Sequence, residues 1–260
     1  MTGCLGNLPI ERGRGLGFSE INTTTWPYGV IVAEAYRDSG TTLEEFLDRF
    51  LPSWMIYQNW FLEQSVASLY GIDTNVRLSK VPAWAHVMPW GERSPGEMMR
   101  WLPPRIRRNR RANGHEITRW KTYKRIMVED ALTSGRSHGR QFFNLCASIN
   151  AHGLWEKCNP DDPYKVWLLR DSSDWCWMAY SGNHRTGAGA ALGLSEVHVE
   201  LKGVVSKSDI RRWPNVANGW FAPEEAEMVF DGLFNGRITT ASLDLLGRLG
   251  RDNHGLAKPS

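Results

Sequence analysis

Residues 181–201, SGNHRTGAGAALGLSEVHVEL, place a Gly-Asn-His-Arg box ahead of a run of small side chains and close on an alternating apolar stretch. The preceding run, Trp175 to Tyr180, is β-rich, so the order reads strand, tight turn, short helix ending at Gly193, then a strand from Glu196. The first free N–H groups of such a helix point outward and carry partial positive charge, which suits an anion. Gly182 lets the backbone turn sharply and lets an anion come close. Arg185 can grip phosphate or carboxylate oxygens with its planar fork, and His184 can donate a hydrogen bond or move a proton. The candidate phosphate- or nucleotide-binding set is therefore Gly182, Asn183, His184, Arg185 and Thr186. Gly187 to Ala191 are expected to let the helix lie close against the sheet. The competing account makes the His-Arg pair a helix cap and a surface ion pair.

Upstream, Val166 to Leu169 and Trp175 to Tyr180 flank the polar turn Asp171-Ser172-Ser173-Asp174, a hairpin signal. Asp171 and Asp174 are alternative metal ligands, although their place in a turn explains them sufficiently. A helix is expected over residues 141–153, closed by Gly153. The first 80 residues read as largely helical: one helix is capped at Thr41-Thr42, and a second runs from about Trp54 to Tyr70 and stops at Gly71. Trp54, Tyr57, Trp60 and Phe61 share a face there that is more often core than ligand platform. Residues 81–99, rich in Pro and Gly, read as a loop, and Pro223 to Phe234 as a helix with Pro in its first turn. The last ten residues read as frayed. The fold class is α+β, with a mainly helical extension over 1–80, a core over 81–205 carrying a basic insertion at about 100–140, and a helical C-terminal extension over 206–260.

At 260 residues, 42% hydrophobic and 23% charged, the chain can bury a real core, and disordered or fibrous classes are set aside. Thirteen tryptophans are compatible with core, stacking or interface roles and choose none of them. Cys4, Cys146, Cys158 and Cys176 show no CxxC spacing and read as reduced core residues. No leader or bilayer-length apolar run is visible, so a cytoplasmic protein without membrane association is expected. Charge is concentrated: residues 100–125 hold ten Lys or Arg against Glu116, a net +9 in a chain whose total is +3. With Trp101, Trp120 and Tyr123 interleaved, this segment has the composition that tracks a phosphate backbone and stacks bases. Its Arg105, Arg107, Arg108, Arg110 and Arg111 are the candidate nucleic-acid or anion contacts, with a solvated basic insertion as the alternative.

The box, the Ala-rich helix, "LG" and the strand together resemble the ParB/sulfiredoxin-like superfamily, and LCASINAHG followed by VWLLRD fits the part of that fold just upstream. The clear resemblance covers about residues 140–202, with a weaker match near PWGERSP. PWGER and the downstream WPNVANG also look like the boxes of a poorly characterised bacterial ParB-like group. The resemblance implies a small mixed sheet with helices. Sulfiredoxins have a cysteine where Asn183 stands, which argues against sulfinic acid reduction. ParB proteins bind CTP at their box and hold DNA by a helix-turn-helix, of which no pattern follows residue 202. Free-serine kinases of this fold hold nucleotide phosphates at a similar box and take the substrate proton with an upstream glutamate. Gly182, His184 and Arg185 match that box, Glu92 lies where the base would be, and Ser181 replaces the family's aspartate. The implied function is a nucleotide-dependent phosphotransferase, an ATP- or ADP-dependent kinase with Glu92 and His184 as catalytic residues. Its cofactors are a nucleotide (ATP, ADP or CTP) and Mg²⁺, and its substrate is a small hydroxyl-bearing molecule. The alternative is a nucleotide-responsive nucleic-acid-binding protein or nuclease working through residues 100–125.

Overall fold

The hairpin forms where the alternation places it. Strands β3 (Lys165–Asp171) and β4 (Asp174–Ala179) pair antiparallel, with Leu168 opposite Trp177. Ser172 takes a φ of 53° in the connecting turn, a left-handed conformation outside glycine. The structure, a computed structural model, describes residues 5–17, 19–102, 123–152, 164–180 and 183–255. Helix α6 (Asn183–Ala191) follows the hairpin, and β5 (Glu196–Ser206) returns beside β3 in parallel. That pairing slips: Val166 faces Leu201 but Trp167 faces Gly203, which leaves Lys202 as the extra residue of a bulge. Trp167 covers Gly203 so closely that a Cβ there would meet the indole at 2.5 Å.

The N-terminal residues are mainly helical, as expected, but they also contribute strands. They supply both edges of a five-stranded mixed sheet, in the order β1-β5-β3-β4-β2: β1 (Leu5–Pro9) lies antiparallel to β5, and the two-residue β2 (Gly13–Arg14) lies parallel to β4. Tertiary contacts recruit these short strands. Trp177 donates its indole N–H to the Pro9 carbonyl at 2.8 Å, and its ring lies where a side chain at Gly13 would stand.

After α1 (Pro27–Ala35), the expected break near Trp54 is absent, and the second expected helix instead divides after Glu63. Helix α2 (Leu43–Glu63) starts at a Thr42/Glu45 capping box and runs through Pro52. Proline costs about 3 kcal/mol inside a helix, but Phe46, Leu47, Phe50, Trp54, Tyr57 and Trp60 form one buried face across it, and full burial of each large apolar side chain contributes about 1.5–3 kcal/mol. This face is core, as its spacing suggests. A separate α3 (Val66–Tyr70) ends at Gly71, whose φ is 66°.

Within the expected 81–99 loop, Ser94 caps a helix over 95–102 (α4), its Oγ accepting from the Glu97 N–H while the Glu97 carboxylate accepts from Ser94. Helix α5 (Tyr123–His152) is far longer than the expected 141–153 stretch. It lies close on α2 because a Cβ at Gly139 would stand 2.5 Å from Leu47 and 3.0 Å from Phe50. After β5 come a 3-10 segment (Lys207–Arg212), α7 (Pro214–Ala217), α8 (Pro223–Phe234) and α9 (Thr240–Gly255), the last carrying helical backbone into the expected frayed end. One continuous set of packed buried side chains runs from Ile10 to Leu249, so the three expected segments share a core.

Candidate functional site

Helix α6 begins at Asn183, so His184, Arg185 and Thr186 all sit in its first turn. Asn183 is exposed. His184 turns inward: its Nε2 lies 3.0 Å from Nδ1 of His138 on α5, the two rings are nearly parallel, and Phe142 packs at 4.6 Å. Burial, helped by the neighbouring His138, pushes the His184 pKa down to about 4, so the ring is neutral at physiological pH. Thr186 is buried and donates to the Tyr164 hydroxyl at 2.5 Å, which anchors the helix. The tight approach of the small residues is made to helices: a Cβ at Gly187 would meet Phe142 of α5 at 3.0 Å and Tyr28 of α1 at 3.4 Å. The expectation that this stripe exists for the sheet is corrected accordingly. Of the expected phosphate set, Asn183 is exposed and Arg185 is half-buried in the first turn of α6, its charge felt by the Tyr164 phenol, and Gly182 lies outside the described residues, as do Arg105, Arg107, Arg108, Arg110 and Arg111.

The PWGER and WPNVANG boxes form one unit. Asn215 is 1% exposed, and its Nδ2 donates to the carbonyls of Met88, Gly91 and Arg93 at 3.0, 3.1 and 3.0 Å. Its backbone N–H bonds the Pro89 carbonyl at 3.0 Å, while its own carbonyl accepts from Trp220 and Phe221. Trp90 meets Trp213 edge to face, with centroids 5.2 Å apart. The buried amide thus sets the curve of the loop that carries Glu92.

That loop, continued into α4, faces the end of the sheet across a cleft of about 290 Å³. The loop side brings His86, Trp90, Glu92 and Trp101, and the sheet side brings Trp167 and Tyr180. Met88, Met98 and Met178 fill the apolar remainder. Tyr180 is the last described residue before Asn183 of α6, and the residues that line the cleft include none of α6. Glu92 stands exposed at the rim, 3.6 Å from Nζ of Lys202, the bulge residue, whose ammonium lies 4.6 Å from the Tyr180 ring. The Arg93 guanidinium covers Trp101 at 4.3 Å. His86 Nδ1 lies 2.9 Å from the Ala83 carbonyl, which can only accept; Nδ1 therefore carries the proton and Nε2 is the acceptor. Burial lowers the His86 pKa, against that hydrogen bond, and favours the neutral ring. Trp90 is 5% exposed, and its indole N–H has no hydrogen-bond partner among the described residues.

Asp171 and Asp174 are engaged elsewhere, Asp171 near Lys207 at 3.9 Å and Asp174 with Arg12 at 2.7 Å. Among the described residues no group of three or more His, Cys, Asp or Glu converges as a metal site, and Glu92, paired with Lys202, is the one carboxylate lining the cleft. This donor set does not make a protein-held Mg²⁺ site. Cys146 and Cys176 are buried free thiols, their pKa pushed up to about 12 by burial, and Cys4 and Cys158 lie outside the described residues. No helix among the described residues is long and apolar enough to cross a membrane.

Sequence reasoning selected Glu92 but missed His86, Trp167, Tyr180, Lys202 and Asn215 as parts of one site. The repeated Trp-Pro pairing of the two boxes is the sequence signal that points to Asn215; nothing local marks the others. Comparisons with protein-family models, curated proteins and solved structures return no match to this chain.

Proposed function

We propose that the protein is a nucleotide-dependent phosphotransferase of ParB/sulfiredoxin-like ancestry, acting in the cytoplasm on a hydroxyl-bearing small molecule. The observation that supports this reading is the position of Glu92 on a cleft that also holds Tyr180, the last described residue before α6 in the chain. A helix N-terminus and an arginine suit the phosphates of ATP, ADP or CTP, and a carboxylate nearby suits the acceptor proton. In this scheme Asn183 and Arg185 hold phosphates at the mouth of α6. Glu92 takes the proton as the acceptor oxygen bonds the terminal phosphorus and the bond to the leaving nucleotide breaks. His184, bonded to His138, is a positioning residue that holds α6 on α5. No step is routed through Mg²⁺.

The test incubates the full chain with each nucleotide and a metabolite pool and follows phosphorylated product by ³¹P NMR, with nucleotide affinity from calorimetry. Arg185→Ala is expected to abolish nucleotide binding in a folded protein. Glu92→Gln is expected to keep that binding while turnover falls about 10²–10⁴-fold. Unchanged affinity in folded Arg185→Ala, or unchanged turnover in Glu92→Gln, overturns the assignment. Salt-sensitive retention of DNA or RNA without turnover would favour nucleic-acid binding through residues 100–125.

A further inference from the structure

We infer that the cleft between the PWGER loop and the sheet end takes a planar heteroaromatic ring of the nucleobase type, so that the acceptor substrate is nucleoside-like rather than a small aliphatic alcohol. This inference rests on the reading of the Glu92 cleft as the acceptor site. Three observations support the ring, independently of phosphoryl transfer.

First, the walls are flat and polarisable. Trp101 comes from α4 on one side, Trp167 and Tyr180 from the sheet on the other, with methionine between them. Such surfaces stack on any heteroaromatic face. Cations accompany the rings, Arg93, which also lines the cleft, on Trp101 at 4.3 Å and Lys202 near Tyr180 and Trp167 at 4.6 and 5.7 Å. Second, the polar groups form a pair of opposite kind. Trp90 lines the cleft, and its indole N–H, shielded from solvent, has no partner among the described residues, a costly state for a buried donor. The Nε2 of His86 is an acceptor, because its Nδ1–H is committed to the Ala83 carbonyl. A heteroaromatic ring carries both acceptors and donors to meet groups of these two kinds, whereas an aliphatic hydroxyl compound leaves the flat walls unfilled. Trp54 and Trp60 also have unpartnered indole N–H groups, but neither lines this cleft. Third, a volume of about 290 Å³ lies at the lower end for small-molecule sites, which suits one ring with its appended hydroxyl group better than a nucleoside triphosphate.

The test titrates the full chain with adenosine, cytidine, guanosine and uridine in the absence of any triphosphate, following tryptophan fluorescence and confirming by calorimetry. At least one nucleoside is expected to saturate, whereas ribose and serine produce no binding. Trp90→Phe keeps an aromatic ring against Trp213 and deletes the N–H; affinity is expected to fall about 5- to 10-fold. Trp101→Ala is expected to lose about 10-fold or more, and Trp101→Phe to recover most of it. Circular dichroism and thermal unfolding establish that each variant is folded. Absence of saturation by all four nucleosides in the folded wild-type chain overturns the inference, as does wild-type affinity in both Trp90→Phe and Trp101→Ala. Phosphorylation of an aliphatic alcohol by a chain that binds no nucleoside overturns it while leaving the phosphotransferase reading in place. Nucleoside binding with no phosphorylated product upholds the ring site and removes that reading.

Discussion

Replacing Asn215 by alanine removes the donor on which the carbonyls of Met88, Gly91 and Arg93 converge. Two N–H bonds serve three acceptors, so one is shared, and the loss is that of about two buried hydrogen bonds. The Met88 bond is buried, but that carbonyl keeps the Gly91 N–H at 2.8 Å; the Gly91 and Arg93 bonds are partly buried beside the cleft, where water replaces some of what is lost. A net loss of about 0.5–1.5 kcal/mol per hydrogen bond gives a total of about 1–3 kcal/mol. Equilibrium unfolding in urea measures this as a lower midpoint at unchanged slope. Aspartate at the same position gives the sharper comparison. It nearly conserves volume but puts an anionic acceptor against three carbonyl oxygens, so Asn215→Asp should be less stable than Asn215→Ala at neutral pH. An aspartate variant as stable as the alanine variant, or an alanine variant within about 1 kcal/mol of wild type, would refute the clamp.

The neutral His184 predicts an acid limb in stability. Below about pH 6.5 the unfolded chain gains a proton that the folded chain does not take until about pH 4, so stability falls across that window and levels off beneath it, by at most about 3 kcal/mol. Urea midpoints measured from pH 7 to 4 should show the decline in wild type and a shallower one in His184→Phe. Gly139→Ala gains about 1 kcal/mol of helix propensity but drives a methyl group against the fully buried Leu47 and Phe50, at about 1–3 kcal/mol. A net loss of about 1 kcal/mol is expected by thermal or urea unfolding, and a stabilised variant would contradict the close α2–α5 contact. Thr186→Val strands the buried Tyr164 hydroxyl and should cost about 1–3 kcal/mol, most of it recovered when Tyr164→Phe is added in a double-mutant cycle.

What could be read in advance followed the range of the forces involved. The hairpin, the Thr42 cap, the helix from Pro223 and the buried stripe of α2 are fixed by neighbours within one or two turns, and their patterns stand in the letters. The edge strands were not legible, because Gly13 and Arg14 become a strand only where the Trp177 ring leaves room for them. Pro52 stands between the two expected helices: local chemistry disfavours a helix there, and burial of one face on both sides of it carries the helix through. His184 shows the same limit at the site. Its place after Gly182 suggests a ligand-facing proton carrier, yet a histidine on another helix captures its Nε2.

The cleft is where the two ranges meet. Glu92 entered through the PWGER box and the resemblance it carries, and the structure adds that a second box holds the loop on which it stands. Three carbonyls turned toward one amide describe a loop whose backbone bonds are supplied from 120 residues away or more, so the PWGER conformation is a property of the folded chain. The bulge works in the same way on the sheet side. The one-residue slip between Val166 and Trp167 leaves Lys202 outside the ladder, and its ammonium comes to rest between the Glu92 carboxylate and the Tyr180 ring. Straightening that slip, by deleting Lys202, would return β5 to regular pairing and withdraw the cation that pairs with Glu92 among the described residues. If Glu92 works as a base oriented by this ammonium, the deletion should lower turnover while the sheet stays folded and nucleotide affinity is kept. Turnover left where it was would separate Lys202 from the chemistry and make the bulge a matter of packing alone.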